Sequence, residues 1–327
     1  MTPTVDGGFV FRSPYLPLDV PTRWLKGNHH GHSTLSDGVE SPEANIDAYD
    51  AAGYDYFALS EHDRFCDPAA YRARTGMVLL PAVEVTSDLD QTLMYLGAAA
   101  DLPGKGALSL SGILAFVQAR GGLFICDHPN WLYRPDRLHA PAEELLAIES
   151  LPAIEIYTGV IERLRGNPYS LDVWDRLLTA GRRVFGHATD DQHASIDRFL
   201  GWNSVQWPID REPTPEGIIA TLAAGRFVAS TGVAIASIGV AGDGTVISVE
   251  SDARLIRWIV SGGVLAEVTQ GGVGTLRLTD IPSLDRVAWS RFSTPGDARY
   301  VRVECVGDRG AMAWSQPFFI EPRRQAA

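Results

Sequence analysis

The stretch Gly27-Asn-His-His-Gly-His-Ser-Thr-Leu-Ser-Asp-Gly38 places three of the chain's eight histidines within four positions. His30 and His32 are two residues apart, so an extended backbone would point both imidazoles to one side, and the glycine between them leaves room. Asp37 follows five residues after His32, and Ser41-Pro42-Glu43 then supplies a helix cap, a first-turn proline and an early acid. A strand that ends in histidines and leads into a helix predicts the first unit of an α/β fold.

The same alternation of apolar runs and helical patterns continues to about residue 230. Seven apolar runs predict strands, at the segment reaching 28–32 and at 56–60, 78–85, 122–126, 153–157, 183–186 and 204–207. Helical spacing predicts helices near 42–52, 111–119, 142–148, 171–180 and 215–224. An apolar run at 91–97 predicts one more strand, whose direction stays open.

After about residue 232 the sequence changes to short alternating runs separated by Gly, Asp, Pro and Ser turns, with no convincing helix. This pattern predicts a small, immunoglobulin-like β-sandwich of roughly 90 residues. We therefore predict an N-terminal arm at 1–24, an α/β domain at 25–232 and an all-β domain at 233–327.

Composition limits the classes of function. The chain has 327 residues and a formal net charge of −12, which disfavours binding to nucleic acid or to an anionic membrane surface. Its three cysteines are far apart and odd in number, a pattern typical of free thiols rather than of a disulfide framework. The first residues lack a signal-peptide pattern, so a cytoplasmic location is the expectation. A small-molecule substrate is expected in place of nucleic acid or membrane.

All eight histidines lie at or before His193, and most of them sit where an apolar strand gives way to a loop. Carboxylates share these positions. In parallel α/β barrels the carboxyl ends of the strands meet at one face, so groups distant in sequence would surround one cavity. Imidazoles mixed with carboxylates suit Zn²⁺, Mn²⁺ or Fe²⁺, and such ions activate water for hydrolysis.

Five motifs in this order, HHGHSTLSDG, ALSEHD, AVEV, CDHPN and TDDQH, resemble the polymerase and histidinol phosphatase (PHP) superfamily of metal-dependent hydrolases. The resemblance covers about residues 25 to 230. The GN-x-H-x-H opening, the double aspartate before Gln192 and the appended β-region look closest to the branch related to carbaryl hydrolase. This resemblance implies a distorted (βα)7 barrel with two or three divalent ions at its mouth.

The resemblance also implies a ligand set and catalytic roles. One ion would take His30, His32, Glu84 and Asp191, and Glu84 would bridge to a second ion that takes His128. A third position would be built by Asp37, His62 and His193. Asp191 would orient the attacking water or receive its proton. Two departures leave the number of ions open: no histidine lies between Glu84 and His128, and Asn28 replaces an acid common in the family.

Other polar residues near these motifs remain open between functional and structural roles. Asp37 could instead be a turn residue with Gly38, Asp190 could orient a ligand, and Glu61 could accept from an imidazole or be solvated. His187 could face the cavity or be a buried structural histidine; His29 should point away from His30, and His139 reads as a surface residue.

A phosphorylated substrate would need cations, because a guanidinium can hold phosphate through two parallel hydrogen bonds. The candidates on loops near the predicted mouth are Lys26, Arg64, Arg134, Arg163 and Arg165, of which Arg64 is favoured. Tyr157 and Trp131 could form an aromatic wall. Converging arginines would indicate phosphate, whereas an aromatic and aliphatic wall would indicate a neutral ester.

Three functions follow from this pattern. The leading hypothesis is a phosphoesterase that hydrolyses a small phosphorylated metabolite. The second keeps the same metal centre and changes the substrate to a carbamate or a carboxylic ester. The third is a non-catalytic binding protein stabilised by its metal, which would require a site saturated by protein ligands. The β-region could pack on the barrel, shape the entrance or mediate self-association.

Overall fold

The computed structural model of the chain describes residues 9–241, 244–281 and 299–322. Its α-helices are α1 (Pro42–Ala51), α2 (Leu110–Ala119), α3 (Ala142–Leu146), α4 (Leu171–Thr179) and α5 (Pro215–Ala223). Its strands are β1 (Phe9–Arg12), β2 (Thr22–Asn28), β3 (Tyr56–Phe57), β4 (Val78–Leu79), β5 (Ala82–Thr86), β6 (Thr92–Leu96), β7 (Leu123–Cys126), β8 (Ala153–Thr158), β9 (Phe185–Thr189), β10 (Trp202–Pro208), β11 (Phe227–Ser230), β12 (Ile235–Ala241), β13 (Val246–Ser251), β14 (Leu255–Val260), β15 (Val264–Gln270), β16 (Val273–Arg277), β17 (Tyr300–Val306), β18 (Met312–Ser315) and β19 (Phe318–Pro322).

The five helices lie where the sequence predicts them, and local chemistry explains their ends. At the start of α1 the Ser41 hydroxyl accepts a hydrogen bond from the Ala44 amide at 3.2 Å, which satisfies one of the free donors of the first turn. Gly53 follows the helix with φ +72°, a left-handed conformation that glycine adopts without steric cost.

The predicted closed barrel of seven strands is not found among the described residues. The parallel strands β2, β3 and β4 belong to an eleven-stranded sheet, whereas β5 to β9 form a separate five-stranded sheet. The run predicted as one strand at 78–85 breaks between β4 and β5 at Pro81, whose nitrogen has no hydrogen to donate to a ladder.

Strand direction also departs from an all-parallel barrel. β6, the additional strand predicted at 91–97, is antiparallel to both β5 and β7, and β10 is antiparallel to β2. Isolated parallel bridges connect His62, which follows β3, with Glu84 in β5, and Gly31, which follows β2, with Gln192, which follows β9. One apolar cluster, including Leu25, Met94 and Val205, contains side chains from both sheets.

The region after residue 232 contains no α-helix among its described residues, as predicted. β12, β13 and β16 form a three-stranded sheet, and an apolar cluster joins it to β14 and β17 of the large sheet. The large sheet crosses the predicted boundaries, because β11 pairs with β18 and β1 of the predicted arm pairs with β19. Residues 282–298 of the predicted sandwich lie outside the described residues, and the boundaries at 24 and 232 remain predictions.

Candidate metal centre

Four buried side chains meet where β2, β5 and β9 approach one another. His30 and His32 follow β2, Glu84 lies in β5 and Asp191 follows β9. His32 Nε2 lies 3.0 Å from Glu84 Oε2 and 3.1 Å from Asp191 Oδ1. His30 Nε2 lies 3.3 Å and 3.1 Å from the same two oxygens. We call these four residues the inner group.

The described part of the chain leaves polar atoms of the inner group without partners, and a divalent cation between them would supply the missing interactions. Glu84 is 1% exposed, yet His30 Nε2 and Glu84 Oε2 have no hydrogen-bond partner among the described residues. Buried polar atoms without partners cost stability, and a cation bound between imidazole and carboxylate would satisfy both. Two imidazoles and two carboxylates are donors that Zn²⁺, Mn²⁺ and Fe²⁺ accept.

Asp37, His62 and His193 lie together on the more exposed side of the inner group, and we call these three residues the outer group. Asp37 Oδ2 is 3.4 Å from His62 Nε2 and 3.3 Å from His193 Nε2, and His32 is within reach of all three. The Asp37 carboxylate is 53% exposed, so this position opens towards solvent. Gly38 allows the loop to fold back, because a Cβ there would lie only 2.5 Å from the carbonyl oxygen of His32.

The charges of the outer group depend on one another. Burial lowers the pKa values of His62 and His193, but Glu84 and Asp37 around His62, and Asp37 and Asp191 around His193, outweigh burial and raise both to about 9. Burial would raise the pKa of Asp37, but the two imidazoles hold it below its ordinary value. Before a metal binds, this group is therefore two imidazolium ions around one carboxylate.

His128 approaches the inner group less closely. Its Nε2 lies 3.6 Å from Glu84 Oε1 and 3.6 Å from Asp191 Oδ2. Its backbone has φ +29°, and Asp191 has φ +50°, so both residues are held in the left-handed region that non-glycine residues rarely occupy. Such conformations persist where surrounding contacts impose them, frequently at functional sites.

The prediction that His139 is a surface residue is wrong. Its ring is 1% exposed, lines the cavity and lies 4.4 Å from the ring of His128. Both of its nitrogens are already bonded, since Nε2 accepts from the Thr92 amide at 3.0 Å and Nδ1 donates to the Asp127 carbonyl at 3.2 Å. His139 therefore packs against His128 and does not replace the histidine missing between the AVEV and CDHPN motifs.

The acids beside the ligands have structural roles. Asp190 accepts hydrogen bonds from the Tyr49 hydroxyl and from three successive amides at 199–201, so it holds the loop after β9 rather than orienting an imidazole. Glu61 is buried and accepts from Ser33 and Ser36. These bonds fix the loop between His32 and Asp37.

His29 and His187 face away from the cavity. Their rings are buried with centroids 5.1 Å apart, and burial lowers the pKa values of both, that of His29 to about 3. Neither residue lines the cavity, so His187, a candidate for substrate contact, lies outside it.

A cavity of about 900 Å³ opens over the two groups. Three cations predicted to face it do not: Arg64 donates to the carbonyl of Leu35, Arg134 pairs with Asp90, and Lys26 stacks over Tyr54 and Trp202. Each of the three is held by a residue from another segment of the chain. Arg165 does not line the cavity either.

Among the described residues, one arginine and one lysine line the cavity. Arg163 is held by two hydrogen bonds to Asp197, at 2.5 Å and 2.9 Å, which occupy one edge of its guanidinium. Lys105 was not anticipated from the sequence; its ammonium lies 3.8 Å from Asp63. No motif precedes Lys105, so only the path of its loop reveals it.

The remaining wall is largely apolar. Trp131 lines the cavity as predicted, whereas Tyr157 does not, because its ring packs against Tyr169 and Trp314. The apolar lining includes Trp131, Tyr133, Val160, Ile161, Leu164 and Ile196.

Comparison with known proteins supports the fold. No protein-family model matches the sequence, and no curated protein matches it. Its structure is similar to that of a two-domain protein from Bacteroides vulgatus containing a predicted PHP-like metal-dependent phosphoesterase, with a TM-score of 0.53 at 16% identity over 95% of this chain and 99% of that chain. PsfC from Pseudomonas syringae is similar with a lower TM-score of 0.45, at 16% identity over 61% of this chain and 88% of that chain. An amidohydrolase from Chromobacterium violaceum is similar with a TM-score of 0.40, at 17% identity over 52% of this chain and 88% of that chain. No helix of the described residues is long and apolar enough to cross a membrane.

Proposed function

We propose that this chain is a metal-dependent hydrolase of the PHP type and that it acts as a phosphoesterase on a small molecule. The observation that carries the proposal is the convergence of the inner and outer groups, drawn from residues 30 to 193, at the floor of one open cavity. The fold shared with a protein that contains a predicted PHP-like phosphoesterase supports the same reaction class.

The inner group would hold one ion, and Asp37, His62 and His193 would hold another. His128 would add a further ligand beside Glu84. When bound, such ions activate water for attack and neutralise charge on the ester being cleaved. Three protein ligands at the outer position leave room for a substrate or water, as catalytic sites require.

The chain's own residues complete the arrangement. Burial would raise the pKa of Asp191, but the imidazoles of His30, His32 and His193 hold it below its ordinary value, so the carboxylate is an anion that can ligate a cation and orient the attacking water by accepting its hydrogen bond. The His193 Nδ1 donates to the Asp191 carbonyl at 2.9 Å, which leaves Nε2 free to face Asp37. Arg64 lies outside the cavity, so we assign it no catalytic role.

A carbamate or carboxylic ester is the second candidate substrate, and the cavity wall favours it. Arg163 is committed to Asp197, and Lys105 is the other cation of the lining. The aromatic and aliphatic side chains opposite would hold an uncharged group by burying its apolar surface. A purely structural metal site is disfavoured, because the outer group is exposed and opens into the cavity.

A substrate panel tests the proposal. The protein would be loaded separately with Mn²⁺, Zn²⁺ and Fe²⁺ and assayed on phosphomonoesters, phosphodiesters, aryl carboxylic esters and aryl carbamates. Hydrolysis of a phosphoester that is lost in His193→Ala supports the phosphoesterase. Preference for the carbamate or carboxylic ester establishes the second candidate, and no hydrolysis by any loaded form contradicts both.

A further inference from the structure

Glu155 is a buried carboxylate that no sequence motif marks. It lies in β8 within the apolar run Ala-Ile-Glu-Ile-Tyr-Thr and is 1% exposed. A charged side chain in the middle of a buried strand is rare unless other groups satisfy it. Its surroundings therefore show what it does.

The Glu155 carboxylate receives four hydrogen bonds. Oε1 accepts from His30 Nδ1 at 2.7 Å and from the Thr189 hydroxyl at 2.6 Å. Oε2 accepts from the Thr158 hydroxyl at 2.7 Å and from the His128 backbone amide at 2.9 Å. Two oxygens offer about four acceptor positions, so the carboxylate is saturated.

Saturation argues against a metal ligand role for Glu155 itself. Ligand atoms of His30, Asp127 and Glu155 lie close enough together to hold an ion. However, His30 Nδ1 carries the hydrogen that it donates to Glu155, and a neutral imidazole has one nitrogen lone pair to give. That lone pair is on Nε2, which faces Glu84 and Asp191 of the inner group.

Glu155 therefore acts on two candidate ligands at once. Its bond to His30 Nδ1 selects the tautomer and ring orientation that present Nε2 to the inner group. Its bond to the His128 amide holds a backbone whose φ of +29° is strained. The two threonines fix the carboxylate from β8 and β9.

We propose that Glu155 is a positioning residue for the metal centre, fixing the His30 side chain and the His128 backbone before an ion binds. This inference rests on the proposed function, because it requires the inner group to hold a metal. It adds a residue that the ligand motifs do not include.

The test measures Mn²⁺ affinity by competition with a chelating fluorescent indicator. Glu155→Gln keeps the size of the side chain but replaces an acceptor oxygen with a donor NH₂ and removes the charge. We expect its Mn²⁺ affinity to fall about 10- to 100-fold. Thr189→Val removes one hydroxyl donor at nearly constant volume, and we expect a smaller loss in the same direction.

Asp175→Asn is the matched control. Asp175 is also a carboxylate in a network of buried hydrogen bonds, but its partners are Tyr300 and Arg302 rather than metal-centre residues. Melting temperatures without metal should fall in both Glu155→Gln and Asp175→Asn, whereas Mn²⁺ affinity should fall only in the former.

The outcomes separate the inference from the proposed function. Failure of the wild-type protein to bind Mn²⁺ would contradict the proposed function and this inference together. Wild-type affinity in folded Glu155→Gln overturns the inference alone, as does an equal loss in Asp175→Asn. If Glu155→Gln does not fold, Thr189→Val decides: unchanged affinity in that variant overturns the inference.

Discussion

Two regions of this molecule bury several charges, and they neutralise them differently. At the candidate metal centre Glu84 and Asp191 are surrounded by imidazoles, and Glu84 Oε2 and His30 Nε2 have no hydrogen-bond partner among the described residues. In β17 the Arg302 guanidinium binds Asp175 of α4 through two hydrogen bonds and Glu304 through a third. The second cluster carries its own permanent cation, whereas the first would, on the proposed function, take a cation from solution.

Buried charges indicate function where the chain does not itself pair them. Burying charge is costly unless it is paired and hydrogen-bonded, and Arg302 meets that condition within the chain. Burial lowers the pKa of Arg302, but the two carboxylates outweigh it and raise the pKa above its already high value, so the guanidinium keeps its charge at any pH near neutrality. Imidazoles can lose their proton near neutral pH, and a metal ion binds the neutral form.

The largest effect is expected at the inner group. His30→Ala removes a ligand that lies within 3.3 Å of both Glu84 and Asp191. Loss of a side chain that only hydrogen-bonds to a metal ligand costs about 10- to 100-fold in metal affinity. We therefore expect a loss of more than about 100-fold when the ligand itself is removed. Mn²⁺ titration and turnover of the best panel substrate would measure it, with Asp175→Asn as the variant expected to retain both.

The sequence predicts the convergence of the inner group better than it predicts the sheets. His30, His32, Glu84 and Asp191 could be identified because imidazoles and acids at strand ends have few purely structural reasons to be there. The two-sheet arrangement was missed because Pro81 breaks a run whose hydrophobic pattern continues on both sides. An apolar run by itself does not specify the strand's neighbours.

Of the five cations predicted near the mouth, Arg163 lines the cavity and the other four do not, for a related reason. Loop arginines such as Arg64 and Arg134 bind a carbonyl or a carboxylate from another loop that lies near them in space. Which partner is within reach depends on the loop geometry. Glu155 did leave a signal, a lone acid inside the buried run at 153–158. Its role becomes visible only in the structure, because its partners come from β8, from β9 and from the segments that follow β2 and β7.

The next effect should appear in stability rather than in metal binding. Asp175→Ala leaves Arg302 buried with Glu304 as its remaining carboxylate partner in the cluster, and it removes the acceptor of the Tyr300 hydroxyl. Breaking a buried pair costs roughly 3–5 kcal/mol, and we expect about 3 kcal/mol because Glu304 remains. Urea unfolding without metal measures it; a loss below about 1 kcal/mol would contradict the importance of the pair.

A smaller, pH-dependent effect should distinguish the two clusters. Without metal, the pKa values of His62 and His193 are raised to about 9 against about 6.5 in an unfolded chain. Their contribution to stability is therefore fully present below pH 6.5 and is lost as the pH rises through 9. Melting temperatures from pH 6 to 9.5 measure this decline.

Adding Mn²⁺ should alter that pH profile, because the ion binds neutral imidazoles and gains affinity as they lose protons. In Asp37→Asn the carboxylate that helps to raise both pKa values is gone, so the metal-free decline should move to lower pH. A metal-free profile that is flat between pH 6.5 and 9 would contradict the assignment.

The smallest effect is expected at the rim of the Arg302 cluster. Arg257 in β14 is 41% exposed, and its guanidinium lies 2.9 Å from Glu304 Oε2, an oxygen that receives no well-aligned hydrogen bond among the described residues. Exposed ion pairs contribute about 0–1 kcal/mol, and Glu304 keeps its bond to Arg302 at 2.7 Å. Arg257→Ala should therefore lower the free energy of unfolding by less than about 1 kcal/mol. A loss equal to that of Asp175→Ala would mean that Glu304 depends on both guanidiniums. The Arg302 cluster would then also need a cation from outside its buried core, as we propose for the metal centre.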